Sequence, residues 1–515
     1  MNERHPAATN AHRDEILARV ITRQLGILRL QLELLEEARG SRAGAPALAP
    51  EEALTAPMTE SQRGLWAVTR LGPDASAAYN ETLILRLSGP LDVAALRRTW
   101  RRLVARHEAL RTAFDIDGRQ QRISREASIE VPLIDLAGAG TERHALALAS
   151  AAARRPFDLV LGPLLRVALL RLAGERHLLL LVIHHLVCDG RSLGVLLAEL
   201  PEIYRSERHG TPCALPAPVA FSAYGRLLAD GAGRPSAQAA ERFWLRKLAR
   251  PPAPLELPID RGRPPIQTYR GERARAELGA ELGARLRAAS TAAQATLFMT
   301  LLAAFEILVH HLTGRTDFVL GVHSAQRALD AGPHLFGLAI QTLPLRLEID
   351  PRKSFREVVD ATKSELLRAF EHDDVHIGRL IRKLKIGRDP SRPPLISVIF
   401  NLEAAAAELE WDDLRVAVVA EPSPPARYDA FWNLVVAGDA LRVHCTYNAD
   451  LFHASSVRSW LADYRAILEI AASEPAASIG AVLRRAAAER QRHARHEKSL
   501  RKERLQTARR KPVQL

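Results

Sequence analysis

An α/β fold is what this sequence predicts, on three features. Residues 55–230 alternate strand-like and helix-like segments, and residues 268–480 repeat that alternation. Leu178–Ile183 is an unbroken apolar run of strand length, and Ser192–Leu200 behind it carries apolar residues at helical spacing. Between the two alternating stretches, Pro251, Pro252, Pro254, Pro258, Pro264 and Pro265 mark an irregular crossing segment.

Taken in order, residues 11–39 read as one helix. Ile21, Leu25, Leu28, Leu32 and Leu35 follow a 4-3-4-3 spacing, a short heptad seam. Gly40 ends it, and Ser41–Pro50, rich in Ala, Gly and Pro, reads as a linker. Such a seam either docks another chain or packs back on the body. Val93–His107 reads as a helix and Leu110–Phe114 as the strand that follows. His310 and His311 fall inside a helical run and read as an ordinary packed or surface pair. From about residue 483 the chain is rich in Ala and Arg, and in part helical. The division expected is therefore 1–50 as helix and linker, 51–230 and 231–482 as two folded stretches, and 483–515 as a basic tail.

The net charge of +13 is concentrated at one end. Residues 484–515 hold twelve Lys/Arg against three Asp/Glu, a surplus of nine. A tail of this kind binds an acidic partner or is simply solvated. No aromatics interleave with it, so nucleic acid is not an expected partner. No apolar run approaches the ~20 residues that span a membrane, so no membrane partner is expected either. The N-terminal residues open no secretory signal. Cys188, Cys213 and Cys445 form neither a disulfide framework nor a zinc pattern, and a reducing, cytoplasmic setting fits them. His372 and His376 stand four apart without a third ligand and read as a solvated face, so no metal is expected.

The chemistry is concentrated between the apolar run and the helix behind it. His184-His185-Leu186-Val187-Cys188-Asp189-Gly190 places two histidines and an Asp-Gly on a strand-to-helix turn. A turn of that kind holds side chains rigidly while exposing them to a ligand. Gly190-Arg191-Ser192-Leu193-Gly194 overlaps it and matches the Gly-x-Ser-x-Gly elbow of hydrolases, but an elbow puts its serine directly after the strand. Ser192 reads instead as the N-cap of the helix. Cys188 lacks surroundings that would lower its pKa and reads as a small buried filler.

His-His-x-x-x-Asp-Gly is the central signature of condensation domains in nonribosomal peptide synthetases, and the chain resembles that family over roughly residues 55–480. Met58–Trp66 is similar to its first motif, and Arg106-His107-Glu108-Ala109-Leu110-Arg111-Thr112-Ala113-Phe114 matches its second throughout. Phe221–Tyr224 matches in part. Asp260-Arg261-Gly262-Arg263-Pro264, Gly337–Arg346, His372–Val375 and Arg388–Leu395 follow in the family's order. Such collinearity carries far more weight than one short match. Ala339 and Gln341 stand where Phe and Asn are usual, and Arg191 where Trp is common.

The resemblance implies an α/β (α+β) fold of two lobes, each similar to chloramphenicol acetyltransferase, forming a V-shaped pseudodimer with the motif at a central tunnel. It implies upstream and downstream carrier proteins as partners, with substrates on phosphopantetheine and no cofactor bound directly. Other synthetase modules would dock through the N-terminal helix or the basic tail. It implies His185 as the histidine facing the tunnel and His184 as a structural neighbour. Asp189 reads either as a relay to His185 or as an ion pair that fixes the turn, with Arg263 its partner by resemblance. Gly190 reads as allowing a backbone conformation closed to other residues, or the close approach of substrate. Catalytic candidates are His185, Asp189, Gly190 and His184; substrate-binding candidates are Arg263, Gly337, Gln341 and Ser192.

The reaction implied is acyl transfer from a thioester to an amine. An α-amino group has a pKa of about 7.7–8.0, so roughly a tenth is neutral at pH 7 and deprotonation costs only ~1.4 kcal/mol. His185 therefore serves either as a base, worth ~10²–10⁴-fold, or as a hydrogen-bonding group that holds the amine and the tetrahedral species. An ester-forming or CoA-dependent acyltransferase, and a silent recruitment domain on the same fold, stay open beside the amide-forming reading.

Overall fold

The apolar run ahead of the two histidines is the middle of a sheet. The computed structural model describes residues 53–137, 142–231, 233–325, 332, 334–405, 409–419 and 424–488. The strands from the first half of the chain are β1 (Leu54–Pro57), β2 (Asn80–Ser88), β3 (Thr112–Phe114), β4 (Gln120–Ile123), β5 (Leu133–Asp135), β6 (Leu165–Ala173) and β7 (Arg176–His184). Those from the second half are β8 (Gly271–Leu278), β9 (Asp317–Ser324), β10 (Gln341–Glu348), β11 (Val398–Ala404), β12 (Leu409–Trp411), β13 (Leu414–Val419), β14 (Ala430–Ala437) and β15 (Ala440–Asn448). Among the described residues they form a six-stranded sheet in the order β12-β13-β2-β7-β6-β5, a second in the order β10-β9-β11-β14-β15-β8, and a small sheet β1-β4-β3. Mixed sheets and helices answer the α/β expectation.

In the first sheet β7 lies between β2 and β6, antiparallel to both. Leu178, Leu179, Leu181, Val182 and Ile183 are completely buried, which is why the strand reads as continuous rather than alternating apolar residues. Burial of each such side chain is worth about 1.5–3 kcal/mol. The helix Val93–Arg106 forms where expected, capped by Asp92. Leu110–Phe114 is half right: residues 108–111 make a short 3-10 turn, and only Thr112–Phe114 extends.

The second sheet packs against a helix, Leu297–Thr313, in which every residue from Met299 to Val309 is buried. Thr296 caps it, and Gly314, with φ +68°, ends it in the left-handed conformation. His310 sits in that last turn with Nδ1 2.9 Å from the Arg315 carbonyl oxygen.

The two halves of the chain do not keep to separate sheets. β13, from the second half, pairs along β2 in the first sheet, with Ala417 opposite Arg86 and Val416 opposite Leu87, and β12 pairs on the outer side of β13. β2 would otherwise be an open edge. The 51–230 and 231–482 stretches are thus interlocked, which a reading of contiguous segments does not anticipate. The helix and linker expected over 1–50 lie outside the described residues. Of the 483–515 tail, only residues 483–488 are described, and they are helical.

Candidate active site

β2 and β7 set the position of the motif. Asn80 pairs with His184 at the end of the ladder, and the His185 N–H donates to the Tyr79 carbonyl at 2.8 Å. The strand then breaks into a single 3-10 turn, His185–Val187, before the helix Gly190–His209 begins.

The two histidines part at this break. His184 is wholly buried, receives the Leu186 N–H on Nδ1 at 3.2 Å and meets Phe157 edge-on. Burial, with the neighbouring His185 and Arg427, holds its pKa down to about 3, so the ring is neutral. His185 keeps 16% of its side chain open. Its Nδ1 lies 2.6 Å from the Cys188 carbonyl oxygen. A carbonyl only accepts, so Nδ1 carries the proton and Nε2 is left with a lone pair. Burial lowers the pKa of this ring; Glu81 opposes that and Arg427 reinforces it.

Asp189 does not meet Arg263. It caps the helix: Oδ1 accepts the Ser192 N–H at 2.8 Å, and Oδ2 accepts the N–H groups of Ala339 at 2.9 Å and Ile340 at 3.0 Å. The ion-pair expectation is therefore corrected: a carboxylate saturated by amide donors fixes the turn without a cation. Arg263 makes a two-point pair with Asp429, at 2.9 and 2.5 Å, and also reaches Glu256. Ser192 is likewise corrected. It is the third residue of the helix, and its hydroxyl returns the bond by accepting the Asp189 N–H at 3.2 Å.

Residues 334–341 of the second half, with Gly332, lie across the first. The Gly337 N–H donates to the Ser192 hydroxyl at 3.0 Å, Arg191 donates to the Gly332 carbonyl at 2.8 Å, and His334 Nδ1 lies 3.3 Å from Glu199. Gly337 has φ +148°, and a Cβ there would sit 2.1 Å from the Phe221 ring, so only glycine fits. Gly190 differs. Its backbone is helical, and a Cβ would meet nothing within 4 Å. The expected special conformation is absent at Gly190, and open space is what the residue leaves. Gln341 opens β10 opposite Ser324, buried, with its backbone hydrogen-bonded to His323.

The other sequence candidates take structural partners. Cys188 is buried and its thiol is pushed well up by burial. His372 stacks on Phe243, and His376 caps the helix Ile377–Lys383. Sequence reasoning missed Glu81, Arg427, Tyr79 and His323. Glu81 lies 3.2 Å from His185 Nδ1, Arg427 donates to Glu81 at 2.8 Å, and Tyr79 stacks parallel to the His185 ring at 6.3 Å between centroids. One signal was available: Glu81 puts a charge at the head of β2, just before its apolar stretch Leu83-Ile84-Leu85.

The fold and this turn define a class, two interlocked α/β lobes with a tautomer-fixed histidine on a turn where they meet, the chloramphenicol acetyltransferase-like fold. The condensation domain model matches residues 52–492, and the chain belongs to that family. Condensation domains of nonribosomal peptide synthetases are acyltransferases that form peptide bonds. A linear gramicidin synthase of Brevibacillus parabrevis is 32% identical over 87% of this chain and 9% of its own length. A surfactin synthase of Bacillus subtilis (strain 168) is 30% identical over 86% of this chain and 12% of its own. The chain thus spans about a tenth of the length of these relatives. Among solved structures, the X-domain in its complex with OxyB from teicoplanin biosynthesis is 27% identical, with a TM-score of 0.74 over 85% of this chain and 98% of that one. The first condensation domain of the calcium-dependent antibiotic synthetase, in complex with a substrate analogue, is 23% identical and shows the fold, with a TM-score of 0.72 over 83% and 98%. No single helix among the described residues is long and apolar enough to cross a membrane.

Proposed function

We propose that this chain joins an acyl or peptidyl group, held as a thioester on one carrier protein, to the amine of an aminoacyl unit held on a second. Each substrate arrives on a phosphopantetheine arm, and the amide product stays on the acceptor carrier. The observation that supports this reading best is the state of His185. Its Nδ1 is committed to the Cys188 carbonyl, its Nε2 bears a lone pair, and part of its ring stays open where the two lobes meet.

The amine nitrogen attacks the thioester carbonyl. The C–N bond forms, the tetrahedral species collapses, and the C–S bond breaks to leave a thiol on the donor arm. The proton lost by nitrogen passes to Nε2 of His185 and from there to the departing sulfur. A base so placed is worth ~10²–10⁴-fold, and positioning of the amine adds to it. Asp189, Ser192 and Gly337 act as the frame that holds the turn against the second lobe. Gly190 leaves room for an arm, His184 supports the ring from behind, and Gln341 borders the acceptor side. Arg263 acts at a distance, by bracing Asp429 two residues from Arg427. The upstream and downstream carriers are the partners, other synthetase modules meet the N-terminal helix or basic tail, and the setting is the cytoplasm.

The likeness to an X-domain solved with OxyB favours a second reading, a module that recruits another protein without chemistry. One experiment separates the two. Carriers loaded with donor and acceptor are incubated with the protein, and the acceptor carrier is weighed intact by mass spectrometry. Joined product that disappears in His185→Ala supports transfer. No product across a panel of loaded carriers supports recruitment, and product only with hydroxyl acceptors supports ester formation.

A further inference from the structure

Two charged side chains outside every sequence motif stand behind the His185 ring. Glu81 projects from β2, with Oε1 3.2 Å from His185 Nδ1. Arg427 comes from the second half of the chain, just ahead of β14. Its Nη1 donates to the same Glu81 oxygen at 2.8 Å, and its Nε donates to the Ala78 carbonyl at 2.8 Å. Its guanidinium lies 5.0 Å from the centre of the Tyr79 ring, the ring that stacks beside His185. The side chains of Glu81 and Arg427 each keep only 21% of their surface open.

A carboxylate against an imidazole, on its own, favours the imidazolium. An imidazolium has no lone pair for an incoming amine proton. A guanidinium on the same carboxylate oxygen withdraws that bias while leaving the carboxylate beside Nδ1, whose proton goes to the Cys188 carbonyl. The ring thus stands beside a carboxylate whose charge is already answered. Arg427 also ties strand β2 of the first sheet to the segment that leads into β14 of the second, so the arrangement exists only when the two halves are docked.

We propose that Arg427 is a positioning residue of the transfer site: it reaches across from the second half of the chain, holds Glu81 against Nδ1 of His185, and keeps that ring neutral. The proposal rests on reading His185 as the transfer residue. The other titratable groups around the ring leave this balance in place. Tyr79, just ahead of β2, and Tyr428 beside Arg427 are pushed up by burial and stay neutral. His184 and His323 are pushed down, to about 3 and about 4, and stay neutral. Cys188 stays a thiol. Asp189 remains as the second carboxylate acting on the ring, its oxygens taken by amides. Glu81 and Arg427 are thus the adjustable pair.

The test reads the ring directly and needs no substrate. The full chain, labelled with ¹³C at histidine Cε1, is titrated by NMR from pH 4 to 9, with the His185 resonance assigned by its loss in His185→Gln. In Arg427→Gln the unanswered Glu81 charge moves the His185 midpoint up, whereas Arg427→Lys keeps it near wild type. In Glu81→Gln the midpoint moves down, and in the Glu81→Gln/Arg427→Gln double variant it returns toward wild type. A midpoint that is unchanged or lower in Arg427→Gln overturns the proposal. Should Arg427→Gln not fold, Glu81→Gln decides alone, and an unchanged or higher midpoint overturns it. The carrier assay tests the transfer reading separately, since the titration gives its answer whether or not the protein transfers anything.

Discussion

Asp189 Oδ2 accepts the backbone N–H of Ala339 at 2.9 Å, a bond between the signature turn of one lobe and a loop 150 residues away. The same carboxylate caps the helix that follows the turn, so one side chain fixes both the histidine's platform and the lobe opposite. Hydrogen bonds to a charged group are worth about 1.5–3 kcal/mol each. Asp189→Asn keeps one acceptor and turns an NH₂ toward amide donors. It is expected to lower stability by about 3 kcal/mol and to lower transfer with it, as chemical denaturation and the carrier assay would read. Wild-type stability in Asp189→Asn would contradict the bracing role.

Gly190 and Gly337 should respond to the same substitution in opposite ways. Gly337→Ala drives a Cβ into the Phe221 ring from a positive φ. It is expected to cost about 2–4 kcal/mol or prevent folding. Gly190→Ala meets open space on a helical backbone and is expected to leave the denaturation midpoint unchanged or slightly raised. If an arm passes that space, Gly190→Ala reduces transfer while the protein stays folded. Equal transfer would show that no substrate uses it.

The pH dependence of transfer follows from His185. Burial, with Arg427, lowers its pKa against the pull of Glu81 and Asp189, so the ring is neutral at pH 6.5 and above. The rate should therefore climb between pH 6.5 and 8 with the titration of the substrate amine, whose pKa is about 7.7–8.0, and any limb due to His185 should lie below pH 6.5. A limb above pH 6.5 that vanishes in a His185 variant would contradict a neutral ring.

A buried acid in the second lobe gives a stability test remote from the site. Burial raises Glu306 to about 8, and the Thr362 hydroxyl donates to it at 2.6 Å. The folded chain keeps this proton while the unfolded chain releases it near pH 4.5, so stability falls as pH rises from there to about 8. Glu306→Gln preserves the size and the acceptor. Its denaturation midpoint at pH 8 is expected to exceed that of wild type, with the gap closing toward pH 4.5. A gap that does not depend on pH would show that Glu306 ionises freely in the fold.

Glu199 acts in the opposite direction. Burial works to raise it, but His107 at 2.7 Å and the Arg106 guanidinium at 2.9 Å hold it down to about 2. Its contribution is complete above pH 4.5 and is lost as pH falls toward 2. Glu199→Gln should lower stability at pH 7 and flatten the acid limb, which denaturation across pH 2–7 would show.

What was legible in the sequence were features that depend on neighbours in the chain. β7 announced itself because both its faces are buried, and the helix at 190 because its apolar residues recur at the right interval. The strand-to-helix turn that carries His185 follows from those two. Roles set across the fold were not legible. Asp189 looked like half of an ion pair because its amide partners, Ala339 and Ile340, are backbone groups that no side-chain pattern reveals. Arg263 invited pairing with it, and Asp429 was the nearer carboxylate. Glu81 and Arg427 stand 346 residues apart, and nothing local marks either as the other's partner. The passage of β12 and β13 into the first sheet was hidden for the same reason, since a hairpin's sequence does not say whose edge it completes.

The most direct measurement is the single-turnover rate of amide formation between loaded carriers, wild type against His185→Ala, with folding of both checked by denaturation. The account predicts a loss of at least about 10²-fold with stability nearly unchanged. Equal rates in two equally folded proteins would contradict it.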